Sequence, residues 1–381
     1  MRITFVLPNG NLSGGTRVVA IYADRLKRRG HSVVVVLTPP RRPTLVGKVK
    51  SLMRGRGWPR RLADVPSHLK SVDVEHRVID QARALNDADV PDADVVVATW
   101  WETAEWVANL SSTKGAKVHL IQGDDRLNYP KQDFFTSRRI EKTWVLPMHR
   151  IAVSRWLIGI LPQFSRVGSP SCVPNGVDRR QFNAEPRSKQ TVPTVGLVYT
   201  TFRLKGCDIS LKAFELAARD IPGLRVVAFG CGKADEAVPL PLGAEYSQNP
   251  PQDSIRHIYA KCDAWLFGSR YEGFGLPILE AMACRTPVIA TPAGAAPELL
   301  AGGGGVLVEA EDPVAMARAI VGICQMSDES WRTMSDRAYR TATNYTWDDA
   351  TDLFEAALRT AIERNRRGEL VLQPGLTREG L

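Results

Sequence analysis

No apolar run among the 381 residues is long enough to span a bilayer, which excludes a transmembrane helix. The six cysteines (Cys172, Cys207, Cys231, Cys262, Cys284, Cys324) contain no C-x-x-C pair. That argues against a zinc site and a disulfide framework, and fits a reducing cytosol. There is no low-complexity tract and no internal repeat. The chain moves into its first strand without a signal peptide, so the expectation is a cytoplasmic protein. A nucleotide-binding fingerprint is missing too. After Gly14-Gly15 comes Thr16 where a P-loop has lysine, and the spacing is wrong for a dinucleotide loop.

What is present is 44% hydrophobic residues, ample for two or three domains with full cores. The net charge of +9 is unevenly placed. Residues 1–180 carry 29 Lys and Arg against 16 Asp and Glu, whereas residues 181–381 carry 21 against 25. A basic first half implies an anionic partner. The bias is densest in residues 41–61, with eight Lys and Arg and no acid but Leu45, Val46, Val49, Leu52, Met53 and Trp58 interleaved. The plain reading is a solvated charged loop. The sharper one is a patch that meets an anionic membrane surface or a polyanionic acceptor. No nucleic-acid motif accompanies the charge, so nucleic acid is not expected as a partner.

The densest signal lies further on, at Ser269-Arg270-Tyr271-Glu272-Gly273-Phe274-Gly275-Leu276-Pro277-Ile278-Leu279-Glu280-Ala281-Met282-Ala283. Ala264–Phe267 ahead of it has the apolar, aromatic content of a buried parallel strand. Leu276 onward fits a helix with Pro277 in its first turn. A strand, a two-glycine turn and a helix start leave free amides at a positive dipole end, which suits a diphosphate. Carboxylates would repel phosphate, so Glu272 and Glu280 are expected to face hydroxyl groups on either side. A diphosphate between two polyols is a nucleotide sugar.

Along the chain, β-strand and helix signals alternate. Ile3–Leu7, a glycine loop over Asn9–Thr16, a helix through Arg29 and the strand Ser32–Leu37 make a parallel βαβ unit. Asp94–Thr99 and Lys117–Gln122 are further buried strands, the second running into Asp124 and Asp125. His119 reads as a core histidine within its strand. The D-x-D strings Asp87-Ala88-Asp89 and Asp92-Ala93-Asp94 precede a strand, at the end away from an α/β sheet's working edge, and read as a solvated acidic turn with no metal. Asn175-Gly176-Val177-Asp178 is a turn. Thr194–Tyr199 begins a second strand series, followed by Arg203 and Lys205-Gly206. Apolar residues at helical spacing from Trp347 to Arg367 make a long terminal helix.

The S-x-x-E-G-F-G-x-P-x-x-E-A-M-A string, with its E-x7-E pair Glu272 and Glu280, resembles retaining glycosyltransferases of family four. N-G-V-D at Asn175–Asp178 is similar to that family's passage between domains. The resemblance implies an α/β GT-B fold: an acceptor domain over 1–180, a nucleotide-sugar domain over 181–345, and two Rossmann-like bodies facing a cleft. It also implies a helix over 346–367 crossing back to the first domain, before a tail over 368–381. It further implies transfer of a hexosyl group from a nucleoside-diphosphate sugar to a hydroxyl of a glycan or lipid-linked acceptor. Configuration would be retained, in envelope or polysaccharide synthesis. Glu272 would contact the transferred sugar, and Glu280 the ribose. Gly14, Gly15, Gly273, Phe274, Gly275 and Leu276 would serve the donor. Lys205 matches the family's lysine on the diphosphate, but Tyr199 stands where its arginine usually falls. Arg203 is therefore assigned the second positive charge, which makes Glu272, Lys205 and Arg203 the catalytic set. Gln122, Asp124 and Asp125 are the acceptor-side candidates. No cofactor is expected, the nucleotide sugar being a substrate. Peripheral attachment to the inner face of the cytoplasmic membrane would follow from residues 41–61. A sugar-nucleotide epimerase of the same fold and a non-catalytic sugar-nucleotide-binding protein are the alternatives.

Overall fold

The computed structural model describes residues 1–39, 67–161 and 168–370, so the basic segment 41–61 lies outside the described residues. The chain divides into two compact units. One comprises residues 1–153, 157–173 and 351–381; the other comprises 154–156 and 174–350.

The first unit is built on runs such as Ser32-Val33-Val34-Val35-Val36-Leu37, whose β-branched residues are buried at every position but the first. In order come β1 (Arg2–Leu7), α1 (Gly14–Arg28), β2 (Ser32–Leu37), β3 (Glu75–Val78), β4 (Val95–Ala98) and α2 (Trp101–Ala108). Then follow β5 (Ala116–Ile121), α3 (Phe134–Thr143), β6 (His149–Ala152), α4 (Arg155–Ile160) and β7 (Ser171–Cys172). The seven strands pair in the order β3-β2-β1-β4-β5-β6-β7, all parallel. The exposed edge strand β3 (Glu-His-Arg-Val) is polar, as an unpaired edge should be. Nothing in its sequence period announces a strand.

The second unit has β8 (Thr194–Val198), α5 (Cys207–Ala217), β9 (Arg225–Gly230), β10 (Glu245–Gln248), α6 (Ile255–Ala260), β11 (Ala264–Phe267) and α7 (Leu276–Ala283). It continues with β12 (Val288–Ala290), α8 (Ala296–Leu300), β13 (Gly305–Leu307), α9 (Pro313–Gln325) and α10 (Asp328–Thr343). Its sheet is parallel, ordered β10-β9-β8-β11-β12-β13. The core joins Val195, Leu197, Phe214, Leu266, Ile289, Ile320 and Trp331. The Asn175–Asp178 string packs on the stretch before the last helix. Val177 bridges Thr346, and the Tyr345 hydroxyl donates to the Pro174 carbonyl at 3.2 Å.

Helix α11 (Trp347–Arg366) belongs to the second unit through Ala350 and to the first from Thr351. Within the first unit, its buried Phe354 stacks on Tyr22 of α1 at 4.2 Å between centroids, with Phe5 of β1 behind at 6.0 Å. Such stacked aromatics bury large apolar area and anchor the helix.

Candidate active site

Open parallel sheets bind ligands at the carboxyl ends of the strands, where the strand order reverses. In the second unit that point lies between β8 and β11, and the loops that follow them are joined. After β8, Arg203–Lys205 forms one 3-10 turn, and Gly206 takes φ +56 before α5 starts. A Cβ on Gly206 would sit 1.7 Å from the Gly268 carbonyl oxygen, so only glycine lets the loops approach this closely. Arg270 then clamps them. Its Nη1 and Nη2 each donate to Asp208 at 2.7 Å, Nη1 also donates to the Arg203 carbonyl at 2.7 Å, and Nε and Nη2 reach Glu311. The Arg270 guanidinium holds the Asp208 carboxyl below its usual range. The amides of Arg270 and Tyr271 both donate to the Leu204 carbonyl.

That clamp brings Lys205 to Glu272, with Nζ donating to Oε1 at 2.7 Å. The same oxygen accepts from Ser269 Oγ at 3.1 Å. Beyond Glu272 the turn is pinned by its carbonyls. Gly273 accepts from the buried Ser154 hydroxyl at 2.7 Å, and Phe274 from the Ala295 amide at 2.9 Å. The amides of Gly273, Phe274 and Gly275 donate no hydrogen bond among the described residues, although all three residues are buried. Buried amides are rarely left unpaired, and here they sit at the start of α7. Gly275 caps that helix at φ +103. The arrangement is a positive pocket of backbone dipoles beside a Lys–Glu pair, suited to hold an anion next to hydroxyl groups.

Glu280, one turn into α7, is buried, and its Oε2 accepts from the Tyr259 hydroxyl at 2.8 Å. Arg203 is exposed, and its guanidinium forms no hydrogen bond or ion pair with the described residues. Tyr199 is buried and engaged elsewhere. Its hydroxyl donates to the Val238 carbonyl at 2.7 Å and accepts from the Asp235 amide at 2.8 Å, which fixes the loop after β9. The residues that sequence reasoning missed are the clamp (Arg270, Asp208, Glu311) and the supports Ser269, Ser154 and Tyr259. Ser269, Arg270 and Asp208 lie close to Glu272 and Lys205 in sequence, and that proximity is the signal they carried.

The first unit reverses its strand order between β1 and β4. The glycine loop expected over Asn9–Thr16 is shorter than that, because α1 begins at Gly14. The Ser13 hydroxyl accepts from the Thr16 amide and caps the helix, so Gly14 and Gly15 form its first turn. Gln122, just past β5, lies against Gly15, its Nε2 3.4 Å from where a Cβ would stand. Asp124 is buried and engaged by Arg126, at 2.9 Å from Nε and 2.7 Å from Nη2. Asp125 Oδ2 accepts from the Trp101 amide at the start of α2 at 3.1 Å. Burial holds its carboxyl well above the usual range, against the opposing Trp101 hydrogen bond and with help from the Asp124 charge. His119 is buried in β5, and desolvation, then the Arg150 charge, pushes it down to about 3, so the ring is neutral. The D-x-D carboxylates are engaged one by one: Asp87 by the Ser111 amide, Asp89 by Arg83, Asp92 by Lys114 and Asp94 by Arg2. Among the described residues no group of three or more His, Cys, Asp or Glu is placed to hold a metal ion.

Two parallel-sheet Rossmann-like bodies of this kind are the fold of GT-B glycosyltransferase structures. Sucrose-phosphate synthase of Thermosynechococcus elongatus matches with a TM-score of 0.69 at 16% identity, over 95% of this chain and 99% of that one. HepE of Anabaena, solved with UDP and glucose, matches at 0.69 and 18% identity, over 94% and 100%. In sequence, residues 189–326 match the family model described as glycosyl transferases group 1, which takes in the whole loop system around Lys205 and Glu272. D-inositol 3-phosphate glycosyltransferase of Mycolicibacterium paratuberculosis is 32% identical over 210 residues, 50% of this chain and 46% of that protein. Its counterpart in Mycobacterium bovis is 31% identical over 217 residues, 51% and 44%. The chain spans about half the length of the curated relatives it matches.

Proposed function

We propose that this protein is a retaining glycosyltransferase of family four type. It would move a hexosyl group from a nucleoside-diphosphate sugar to a hydroxyl of a glycan or lipid-linked acceptor in envelope or polysaccharide synthesis. The observation that carries the reading is the Lys205–Glu272 pair set beside the amides of Gly273 to Gly275, unpaired among the described residues, at the strand-order reversal of the second sheet. The group 1 match over the same residues and the activity of the curated relatives support the reaction class.

In this reading the diphosphate lies against the amides, Lys205 and Arg203. Glu272 takes the sugar hydroxyls, Glu280 the ribose, Gly14 and Gly15 also serve the donor, and Gln122, Asp124 and Asp125 serve the acceptor. The bond from the anomeric carbon to the phosphate oxygen breaks while the acceptor oxygen attacks from the same face. The acceptor proton passes to the departing phosphate. Charge grows on the diphosphate as the bond lengthens, so cations and amides fixed in place lower the barrier. This scheme calls on no cofactor. The basic segment 41–61 holds the protein at the anionic inner face of the cytoplasmic membrane, where a lipid-linked acceptor is presented.

A mass-spectrometric screen of nucleotide sugars for slow hydrolysis tests the donor, since water serves as acceptor. Release of free sugar and nucleoside diphosphate with one donor, lost in Lys205→Ala, is the expected result. Conversion of the donor to its epimer would instead favour the epimerase. Tight donor binding without turnover would leave a binding protein.

A further inference from the structure

Large side chains on a helix usually turn toward the core, and adjacent exposed aromatics need a reason. Helix α3 buries Ile140 and Thr143 completely, yet Phe134 and Phe135 in its first turn are 78% and 74% exposed, the most exposed phenylalanines among the described residues. The spacing of four residues places Phe134, Arg138 and Lys142 in one stripe, with Phe135 beside it. Lys131 lies just ahead of the helix. Lys131, Arg138 and Lys142 are exposed and form no ion pair with the described residues. The acids nearby are engaged: Glu141 binds Arg126 at 2.6 Å, and Asp133 caps the Thr136 amide at 3.0 Å. Arg139 is held by Glu105, at 2.6 Å, and lies over the Trp101 ring at 4.8 Å, with the Phe135 ring at 5.9 Å.

We propose that the first turn of α3 is a membrane wedge. Phe134 and Phe135 enter the boundary between headgroups and acyl chains of an anionic bilayer, and Lys131, Arg138 and Lys142 meet the lipid phosphates. The physical basis is an apolar tip beside exposed cations that pair with no acid among the described residues, an arrangement that a lipid interface satisfies and a purely aqueous surface does not. A carbohydrate partner would give the phenylalanines a stacking role but no work to three cations. A second copy would have to place the same positive face against itself.

The test is co-sedimentation of the full chain with vesicles of equal parts phosphatidylcholine and phosphatidylglycerol, and with phosphatidylcholine alone. Binding to the mixed vesicles only, weakened by high salt, is expected. Phe134→Ser with Phe135→Ser should weaken it by about tenfold or more. Arg138→Ser with Lys142→Ser should remove part of its salt dependence. Phe134→Trp should show a blue-shifted emission on the same vesicles. Both double variants lie on the surface, and their circular dichroism and donor hydrolysis should match the parent. Binding by the phenylalanine variant equal to the parent overturns the wedge. If Arg54, Arg56, Arg60 and Arg61→Ser abolishes binding in that case, the basic segment alone is the anchor. A parent chain left in the supernatant at low salt overturns both. Concentration-dependent self-association lost in the phenylalanine variant, without vesicle binding, would make the patch a contact between copies.

Discussion

Both sheets reverse their strand order next to the first strand of each unit, and both place a helix start just beyond it. Their chemistry is nonetheless different. Between β8 and β11 two loops are locked together, a lysine is held against a glutamate, and three buried amides have no acceptor among the described residues. Between β1 and β4 the loop closes on itself through Asn11, which accepts from the Ser13 amide and the Thr16 hydroxyl, and two glycines open the helix. Gln122 lies against the second of them, Gly15. The fold supplies the same dipole end twice, and the side chains on the loops decide what each can do.

The largest effect that would sharpen this contrast is loss of the lysine. Lys205→Ala should lower turnover on the order of 10²–10³-fold, because it removes a contact that strengthens as the diphosphate leaves. Glu280→Ala should mainly raise the donor KM. Steady-state kinetics on donor hydrolysis checks both, and equal losses confined to turnover would contradict the division of roles.

Arg203→Ala should cost as much as Lys205→Ala, about 10²-fold or more, if its exposed guanidinium is the second partner of the diphosphate. Near-normal kinetics would move that role to another cation, since the Tyr199 hydroxyl is engaged by Val238 and Asp235.

The clamp comes next. Arg270→Gln should lower kcat by roughly ten- to a hundredfold by misplacing Lys205 and Glu272. Combined with Asp208→Asn it should cost less than the two separate losses together, because both break one contact. Additive losses would mean the two residues act independently.

Glycine substitutions compare the two crevices directly through stability. Gly206→Ala should destabilise by about 3 kcal/mol or more, from a positive φ and a clash with Gly268. Gly15→Ala, which meets Gln122 at ordinary contact distance, should change stability by no more than about 1 kcal/mol, in the stabilising direction. Urea denaturation of both variants reads the difference, and similar shifts would break the comparison.

The smallest effect is in the first unit and depends on pH. His119 and His149 are held neutral, at about 3 and about 4, by burial first and then by neighbouring arginines. The unfolded chain binds these protons near pH ~6.5, ahead of the folded one. The neutral rings therefore cost nothing above that pH, and stability falls as pH drops from about 6.5 toward 4. His149→Asn should flatten that decline, and an unchanged slope of urea midpoint against pH would remove His149 from the account.

Much of the fold was legible because buried parallel strands are apolar runs between turn residues, as at Val33–Leu37 and Ala264–Phe267. The edge strand β3 was not, since polar side chains suit an edge and leave no period to read. Among the site residues, Glu272 and the glycines after it declared themselves through their string, while Arg270 within that string looked like any surface arginine. Its role depends on Asp208 and Glu311, which reach it from other loops.

The sequence by itself determined the two series of strands, the glycine turn ahead of α7 and the carboxylates around it, because local spacing and backbone sterics are carried by neighbouring residues. The tertiary structure alone decided that Lys205 meets Glu272 across 67 positions of chain, that Tyr199 faces the loop after β9, and that Phe134 and Phe135 face outward. Those outcomes follow from which strands pair side by side and which helix face finds a core. Both are settled by hydrogen bonding and burial between segments that are distant in the chain.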